Sequence, residues 1–178
     1  MAGIDDTMSE FSVMSDASDM LPLENILDLK IDEIQFNTQQ VNQMLGIDRN
    51  VENQVQTFVT LEFFNHSIKH TDLTMGYNPK IASVFSFKNP VDDFYVRYLQ
   101  QSHIFVEVFI VKGSGNNKET VKMGVAKLPL SPLLNDKTGL QVQKIEGADD
   151  SNAFFGTIKF RSKMRRSLKH AKEKLERA

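Results

Sequence analysis

An all-β fold, an antiparallel sandwich of eight short strands, is predicted by this sequence of 178 residues. Short segments alternate apolar and polar side chains with a period of two, which is typical of strands that bury one face. Loops that contain Gly, Asn or Pro separate these segments. Helical periodicity is confined to two short segments, so neither a helical bundle nor an α/β fold is expected.

The predicted strands follow one another along most of the chain. In the first strand, Leu27, Leu29 and Ile31 alternate with charged residues. The most apolar strand, residues 104–111, contains Glu107 as its only charged residue. The strands are predicted at 27–31, 55–64, around 68, 81–87, 104–111, 121–128, 140–145 and 155–161.

The first helical segment is an insertion between two of these strands. In residues 91–100, the spacing of Val91, Phe94, Tyr95, Tyr98 and Leu99 fits one face of a short helix. Pro90 lies where the first turn of a helix tolerates a missing N–H. We expect a short inserted helix whose aromatic residues pack on the sandwich.

The second helical segment is the C-terminal tail. Met164, Leu168 and Leu175 recur at helical spacing, and basic residues occupy most of the remaining positions. Ser162 or Ser167 is suited to cap this helix. The pattern predicts a basic amphipathic helix.

Charge divides the chain into three parts. Residues 1–22 contain five acidic and no basic residues, whereas residues 161–178 contain eight basic and two acidic residues. The first part offers too little apolar surface to offset the entropy of ordering. We therefore expect an acidic disordered arm over 1–22, the β-sandwich over 23–161 and the basic C-terminal helix over 162–178.

Composition excludes several classes of protein. The chain has no cysteine, which excludes disulfides and thiolate metal sites. No apolar run approaches the ~18 residues that mark a transmembrane helix. The start of the chain lacks the basic and apolar regions of a signal peptide. We expect an intracellular protein.

Motifs for catalysis are also missing from the sequence. His66 and His70 have the spacing of a metalloprotease helix, but Ser67 occupies the position where that motif requires Glu. Residues 113–120 are rich in Gly and Asn but lack the spacing of a phosphate-binding loop, and they predict a hairpin loop. We expect no catalytic residue, no metal ion and no cofactor.

The order of the motifs resembles that of a C2 domain. Gly76–Pro79 precedes an aromatic-rich strand, and Ile104–Phe109 is similar to the family's apolar-Glu-Val-aromatic strand. Met123–Ala126, Leu130–Leu134 and Gly156–Ile158 continue the match. The inserted helix and the basic tail are similar to the first C2 domain of the retinitis pigmentosa GTPase regulator-interacting protein family. This resemblance implies an eight-stranded C2-like sandwich with a short inserted helix and a basic C-terminal helix.

The same resemblance implies a function. Proteins of that family are scaffolds of cilia and basal bodies, in which C2 domains bind other proteins. We therefore expect a non-catalytic protein-interaction module of the cytoskeleton, in the axoneme, basal body or transition zone of the cilium. The expected partners are ciliary or microtubule-associated proteins. Nucleic acid is not expected, because aromatic residues do not alternate with the bases.

A calcium site is not expected. Ca²⁺ takes six to eight oxygen ligands, and calcium-binding C2 domains supply several Asp carboxylates directly after the apolar-Glu-Val strand. Here Ile110 and Lys112 stand where those carboxylates would be, and the following loop contributes only Glu119. Asp48 and Glu52 in the first loop are too few to complete a site.

The basic tail is the first candidate surface for a partner. A cationic helix fits an acidic partner such as tubulin or an anionic lipid. Its apolar stripe fits equally well with packing on the sandwich, where the bases would keep the helix solvated. The basic residues concerned are Arg161, Lys163, Arg165, Arg166, Lys169 and Lys172.

The second candidate surface belongs to the strand at 104–111, which is apolar on both faces. Phe105, Phe109 and Val111 lie on one of them. Because only one face of a strand meets the core of a two-sheet sandwich, the other is either covered or available to a partner. We expect the inserted helix or the tail to cover it.

A second function fits the same sequence. Lys69, Lys80, Lys88 and the tail suit calcium-independent binding to anionic phospholipid at a membrane surface. Protein binding is therefore the leading prediction and lipid binding the alternative.

Overall fold

A computed structural model describes residues 23–147 and 153–177. The predicted acidic arm, residues 1–22, lies outside the described residues. Within them the chain forms nine strands, three α-helices and two 3₁₀ turns. These are β1 (Glu24–Phe36), α1 (Thr38–Leu45), a 3₁₀ turn (Glu52–Gln54), β2 (Val55–Glu62), β3 (Lys69–His70), β4 (Thr74–Met75), β5 (Lys80–Pro90), α2 (Asp93–Gln101), β6 (His103–Lys112), β7 (Glu119–Pro129), a 3₁₀ turn (Ser131–Asn135), β8 (Leu140–Gly147), β9 (Phe154–Met164) and α3 (Lys169–Arg177).

All strand pairs are antiparallel, in the order β3-β2-β6-β7-β8-β9-β1-β5, with β4 also paired to β2. The two-residue strands β3 and β4 share one edge of β2, so the sheet has the eight positions that the sequence predicts. β7 and β8 pair only through Gly124 with Gly147 and Val125 with Glu146. This narrow junction divides the sheet into two halves that pack around one core.

A glycine permits the junction. A Cβ atom at Gly124 would collide with the backbone carbonyl of Glu146, because β7 and β8 approach each other closely there. Any larger residue would push the two strands apart and open the junction between the two halves.

Alternation along the strands builds the core as predicted. Leu27, Leu29 and Ile31 of β1 are fully buried, as are Val106 and Val108 of β6. The neighbouring residues of β6 point to the other side of the sheet. The predicted hairpin loop is confirmed, since β6 and β7 pair directly on either side of it.

Helix α1 is not among the predicted elements. Asn37 caps it, accepting a hydrogen bond from the Gln40 N–H at 3.4 Å, and Gly46 ends it in the left-handed conformation with φ 70°. Only Val41 and Leu45 are buried. Val41, Met44 and Leu45 have the spacing of one helical face, but this signal spans little more than one turn of a polar segment.

Helix α2 is present, but it begins later than predicted, and Phe94 of its predicted apolar face is exposed. Pro90 is the last residue of β5, and Asp92 caps the helix by accepting a hydrogen bond from the Tyr95 N–H at 2.8 Å. The buried residues include Tyr95 and Leu99, whereas Phe94 is 72% exposed. Tyr95 and Leu99 of the predicted face thus pack in the core, whereas Phe94 of the same face remains at the surface.

The boundary predicted at residue 161 is wrong. Strand β9 continues to Met164, and α3 begins at Lys169. Ser162 is therefore a buried strand residue, while Ser167 Oγ accepts a hydrogen bond from the Lys169 N–H at 3.3 Å. Continued pairing with β1 extends the strand, because Leu27 still lies opposite Met164. In the described part of the chain, no helix is long and apolar enough to cross a membrane.

Candidate interaction surfaces

The end of the sandwich where C2 domains hold calcium carries a lysine. Lys112 Nζ donates a 2.6 Å hydrogen bond to the carbonyl of Leu45, the last residue of α1, and lies 3.4 Å from a carboxylate oxygen of Glu119. A cation at the C-terminus of a helix compensates its carbonyl dipoles. Lys112 thus joins the first loop to the β6–β7 hairpin with a charge that belongs to the chain itself.

The acidic residues of the first loop have structural roles or stand apart. The Glu52 carboxylate accepts a 3.1 Å hydrogen bond from the Tyr77 N–H, and the Tyr77 hydroxyl donates to Asn42 at 2.6 Å. Asp48 is not part of this network. Across residues 23–147 and 153–177, no group of three or more His, Asp or Glu side chains could hold a metal ion.

The six basic residues of the tail do not form one cationic helix. Arg161 and Lys163 lie on β9, Arg165 and Arg166 in the connection that follows it, and Lys169 and Lys172 on α3. The prediction of a single basic helix is wrong for the first four, because the strand continues past residue 161.

Two of these bases pair with acids of β1. Arg165 makes two hydrogen bonds to Asp28, at 2.8 and 3.1 Å, and Asp28 is only 1% exposed. Arg161 Nε lies 3.3 Å from Asp32 Oδ2. Two acids thus compensate the charge of two bases on the outer surface of β1 and β9, which weakens this surface as a site for an acidic partner.

Of the four remaining bases, Arg166, Lys169 and Lys172 lie at contacts between the tail and the rest of the chain. The Arg166 N–H donates to Asn25 Oδ1 at 3.0 Å, and Asn25 Nδ2 donates to the Arg166 carbonyl at 2.8 Å. Lys172 Nζ donates to Asn135 Oδ1 at 3.0 Å, and Lys169 lies 3.8 Å from Asp136. The apolar stripe of the tail is packed: Met164 and Leu168 are buried, and Ala171 and Leu175 contact the core. Of the two interpretations of the tail, packing on the sandwich has the structural support.

The lysines considered for lipid binding are dispersed. Lys69 lies on β3, at the edge of one half of the sheet. Lys80 and Lys88 lie near the two ends of β5 in the other half, roughly 26 Å apart along the strand. The structure does not bring these residues together into one basic patch.

The outer surface of β2 and β6 is aromatic. Phe58 and Phe109 lie opposite each other and stack with ring centroids 5.0 Å apart and an interplanar angle of 8°. Phe105 is 51% exposed, and Val111 is half-buried on the same side of β6. We call the surface formed by Phe58, Phe105, Phe109 and Val111 the aromatic face.

The prediction that a helix covers this face is wrong. Helix α2 packs against the 3₁₀ turn Ser131–Asn135 and against α3 instead. Its Tyr98 and Phe94 contact Phe64, just beyond the end of β2, with ring centroids 4.9 and 5.7 Å away. The helix therefore borders the aromatic face at one end and leaves Phe105 exposed.

A groove of about 240 Å³ lies at that border. It runs between β2, the end of α2 and β6, and we call it the β6 groove. Phe105 and Ile68 contribute exposed apolar surface, and Ile68 is 64% exposed. Glu62 and Glu107 contribute carboxylates, and Phe64, Tyr98 and His103 also line the groove.

One wall of the β6 groove is rigid and strained. Phe64 adopts a left-handed backbone conformation with φ 48°, which is rare for a bulky residue. Its N–H donates a 3.1 Å hydrogen bond to the Tyr98 hydroxyl. Burial raises the pKa of Tyr98 above its ordinary value; the Phe64 N–H that donates to its oxygen lowers it, and the charge of Glu62 raises it, with burial the largest effect.

Sequence reasoning identified part of this surface. It named Phe105, Phe109 and Val111, because both faces of their strand are apolar. It did not name Phe58, although the alternation of β2 would have placed that residue outward. Glu62 could not have been found, because only the strand register places it opposite Phe105.

Comparisons with known proteins identify the fold. A family model described as the first C2 domain of RPGR-interacting protein 1 matches residues 17–167. A search of curated proteins gave no match. A structure of CC2D1B, which coordinates ESCRT-III activity during mitotic reformation of the nuclear envelope, is similar with a TM-score of 0.65 and 15% identity over 89% of this chain and 62% of that chain. The C2A domain of plant extended synaptotagmin 1 gives a TM-score of 0.49 and 15% identity over 82% of this chain and 96% of that chain.

The predicted C2-like sandwich is therefore confirmed. This chain spans less than two thirds of the CC2D1B chain, and at 15% identity the likeness concerns the fold alone.

Proposed function

Because the chain belongs to the family of the first C2 domain of RPGR-interacting protein 1, we propose that it is a non-catalytic, calcium-independent module that binds another protein. The aromatic face is the surface that binds. C2 domains bind proteins or lipids, and the distribution of charge and apolar surface on this chain favours a protein.

The uncovered aromatic face is the observation that supports this proposal. Phe105 is 51% exposed on an inner strand of the sheet, between β2 and β7, although an aromatic side chain of this size is usually buried. Aromatic residues surrounded by polar ones are characteristic of the centre of protein interfaces. Beyond Glu107 on the same side of β6, the stacked rings of Phe58 and Phe109 add an ordered apolar surface that loses little side-chain entropy on binding.

Calcium-independence rests on Lys112. Its ammonium group already bridges Leu45 and Glu119 at the loop end of the sandwich. A divalent cation placed there would meet a like charge and too few oxygen ligands.

A place in the cilium is the finer part of the proposal. It rests on the family to which the chain belongs, that of the first C2 domain of RPGR-interacting protein 1. We expect a scaffold component of the axoneme, basal body or transition zone, with ciliary or microtubule-associated partners. Tubulin is a weaker candidate than the sequence indicates, because Arg161 and Arg165 pair with acids of the same chain.

Proximity labelling in ciliated cells tests the proposal. The full chain fused to a biotin ligase is compared with its Phe105→Asp variant, and Phe154→Asp is the matched control, since Phe154 is an exposed strand residue outside the aromatic face. We expect ciliary or centrosomal proteins to be labelled, and Phe105→Asp alone to reduce this labelling severalfold. Labelling without ciliary or centrosomal proteins would contradict the ciliary role, and equal labelling by both variants would contradict the aromatic face.

A further inference from the structure

We propose that the β6 groove binds a basic side chain, arginine or lysine, that projects from the protein partner. The proposal rests on the function proposed above and specifies the chemistry of the partner. It follows from the charge of the groove, from the register that places a carboxylate beside an exposed ring, and from the rigidity of the wall.

The charge of the groove selects a cation. Its lining contains Glu62, Glu107 and one histidine, His103, but neither lysine nor arginine. Glu107 lies 3.1 Å from Lys122 Nζ and is compensated by it. Glu62 is exposed and, among the residues that the structure describes, has no ion-pair partner. One uncompensated carboxylate therefore faces the groove.

The strand register places this carboxylate beside an aromatic ring. Glu62 of β2 lies directly opposite Phe105 of β6, so their Cβ atoms are about 5 Å apart. A guanidinium or ammonium group over the exposed face of Phe105 would make a cation–π contact and reach the Glu62 carboxylate at the same time. Ile68, exposed across the groove, would cover the aliphatic stem of the same side chain.

Strand β7, on the other side of β6, does not neutralise the charge of Glu62. Lys127 of β7 lies opposite Phe105 on the other side of β6, away from Glu62. The charges thus change sign across Phe105, negative toward β2 and positive toward β7. A partner segment that lies across the aromatic face would place its basic residue in the groove and an acidic residue toward Lys127.

The wall of the groove is formed before any partner binds. Phe64 is held in its strained conformation by ring contacts with Tyr95 and Tyr98 at 5.3 and 4.9 Å, and by its hydrogen bond to the Tyr98 hydroxyl. A preformed wall reduces the ordering entropy that binding costs. An anionic lipid headgroup would meet the Glu62 carboxylate and be repelled, so the groove favours a basic protein segment over a membrane.

Peptide titration followed by NMR tests the inference on the ¹⁵N-labelled chain. The probe is an acetylated pentapeptide that alternates leucine and arginine, and the same peptide with glutamate in place of arginine is the comparison. We expect the basic peptide to shift the amides of Glu62, Ile68 and Phe105, and the acidic peptide to leave them unchanged. Glu62→Gln should weaken binding about fivefold, the loss expected for one partly exposed charged contact. Glu146→Gln, an exposed strand glutamate outside the groove, should leave binding unchanged.

The outcomes separate this inference from the proposed function. If Phe105→Ala weakens the binding of the basic peptide but Glu62→Gln does not, the aromatic face stands and the basic side chain is excluded. Equal shifts by the acidic peptide would also overturn the inference.

A further titration uses vesicles of phosphatidylcholine and phosphatidylserine. Loss of the Phe105 amide signal with these vesicles would show that this surface binds lipid, and the inference of a basic protein side chain would then be wrong. Unchanged labelling by Phe105→Asp in cells would instead contradict the proposed function itself.

Discussion

At the scale of single residues, a few polar contacts decide what each end of the sandwich can do. Lys112 brings a fixed positive charge to the loops, through its contacts with Leu45 and Glu119. Asp28, almost fully buried, is matched by Arg165 and accepts a further 2.6 Å hydrogen bond from the Ser86 hydroxyl. Charges of this kind hold the chain together, while Glu62 is left to interact with a partner.

Replacing Lys112 by methionine tests the role of its charge. Lys112→Met keeps the length of the side chain but leaves the Leu45 carbonyl without its donor. We expect a loss of about 1–2 kcal/mol in the free energy of unfolding, because the hydrogen bond is charge-assisted and only partly exposed. Urea denaturation measures the change, with Lys118→Met in the exposed hairpin loop as the control. Equal stability of the two variants would show that the bridge is not stabilising.

Tyr95 makes stability sensitive to alkaline pH. Burial raises the pKa of its hydroxyl above the ordinary value of 10, and Tyr98 adds to the rise. In the unfolded chain this hydroxyl ionises from about pH 10, while the folded chain keeps the proton. The folded state then binds more protons, so stability falls as pH rises above 10.

Tyr95→Phe should reduce this alkaline loss. The Tyr95 hydroxyl is buried and, within the described residues, has no hydrogen-bond partner, so its removal should cost little or nothing at neutral pH. Urea midpoints measured from pH 7 to pH 11 test both statements. A variant that loses as much stability above pH 10 as the original chain would contradict the assignment to Tyr95.

At the scale of elements, apolar packing rather than charge fixes the C-terminal helix. Leu168, just before α3, is 1% exposed, and Ala171 and Leu175 also contact the core. The lysines of α3 make exposed contacts, such as that of Lys169 with Asp136 at 3.8 Å. Exposed ion pairs of this kind stabilise by less than about 1 kcal/mol.

Two variants separate these contributions. Leu168→Ala should lower the free energy of unfolding by about 2–4 kcal/mol, because it leaves a cavity in the core. Lys169→Gln should change it by less than about 0.5 kcal/mol. Both values come from urea denaturation. A larger loss for Lys169→Gln than for Leu168→Ala would mean that charge, not packing, holds the helix.

At the scale of the whole molecule, the two outer surfaces of the sandwich differ in character. The surface over β1 and β9 carries ion pairs, such as Lys159 with Glu33 at 2.8 Å and Arg161 with Asp32. The surface over β2 and β6 carries the exposed ring of Phe105, two half-buried phenylalanine rings and the uncompensated Glu62. The lysines considered for lipid binding are divided between the two halves of the sheet. This distribution favours a protein partner on one surface.

Liposome flotation tests that distribution. Because Lys69, Lys80 and Lys88 do not form one patch, we expect the chain not to float with vesicles that contain phosphatidylserine, whether or not calcium is present. Vesicles of phosphatidylcholine alone provide the baseline. Flotation that requires phosphatidylserine would revive the lipid-binding alternative, and flotation that also requires calcium would contradict the role of Lys112.

The sequence by itself determined the all-β class, most of the strands and the placement of a lysine where a calcium site needs carboxylates. Alternation along a strand is local, so it can be recognised without knowing the neighbouring strands. The apolar outer residues of β6 were recognisable for the same reason.

Only the tertiary structure decided which of these features could meet a partner. The pairing of Glu62 with Phe105 depends on the register between two strands that are distant in sequence. The burial of Arg165 against Asp28 depends on how β9 lies beside β1. Helix α1 is held to the core by its two buried residues, Val41 and Leu45, and its local apolar pattern is too short to predict a helix. Charged and apolar residues can be recognised in a sequence. Whether a charge is compensated or an apolar residue is covered depends on its neighbours in the fold, and long-range packing sets those neighbours.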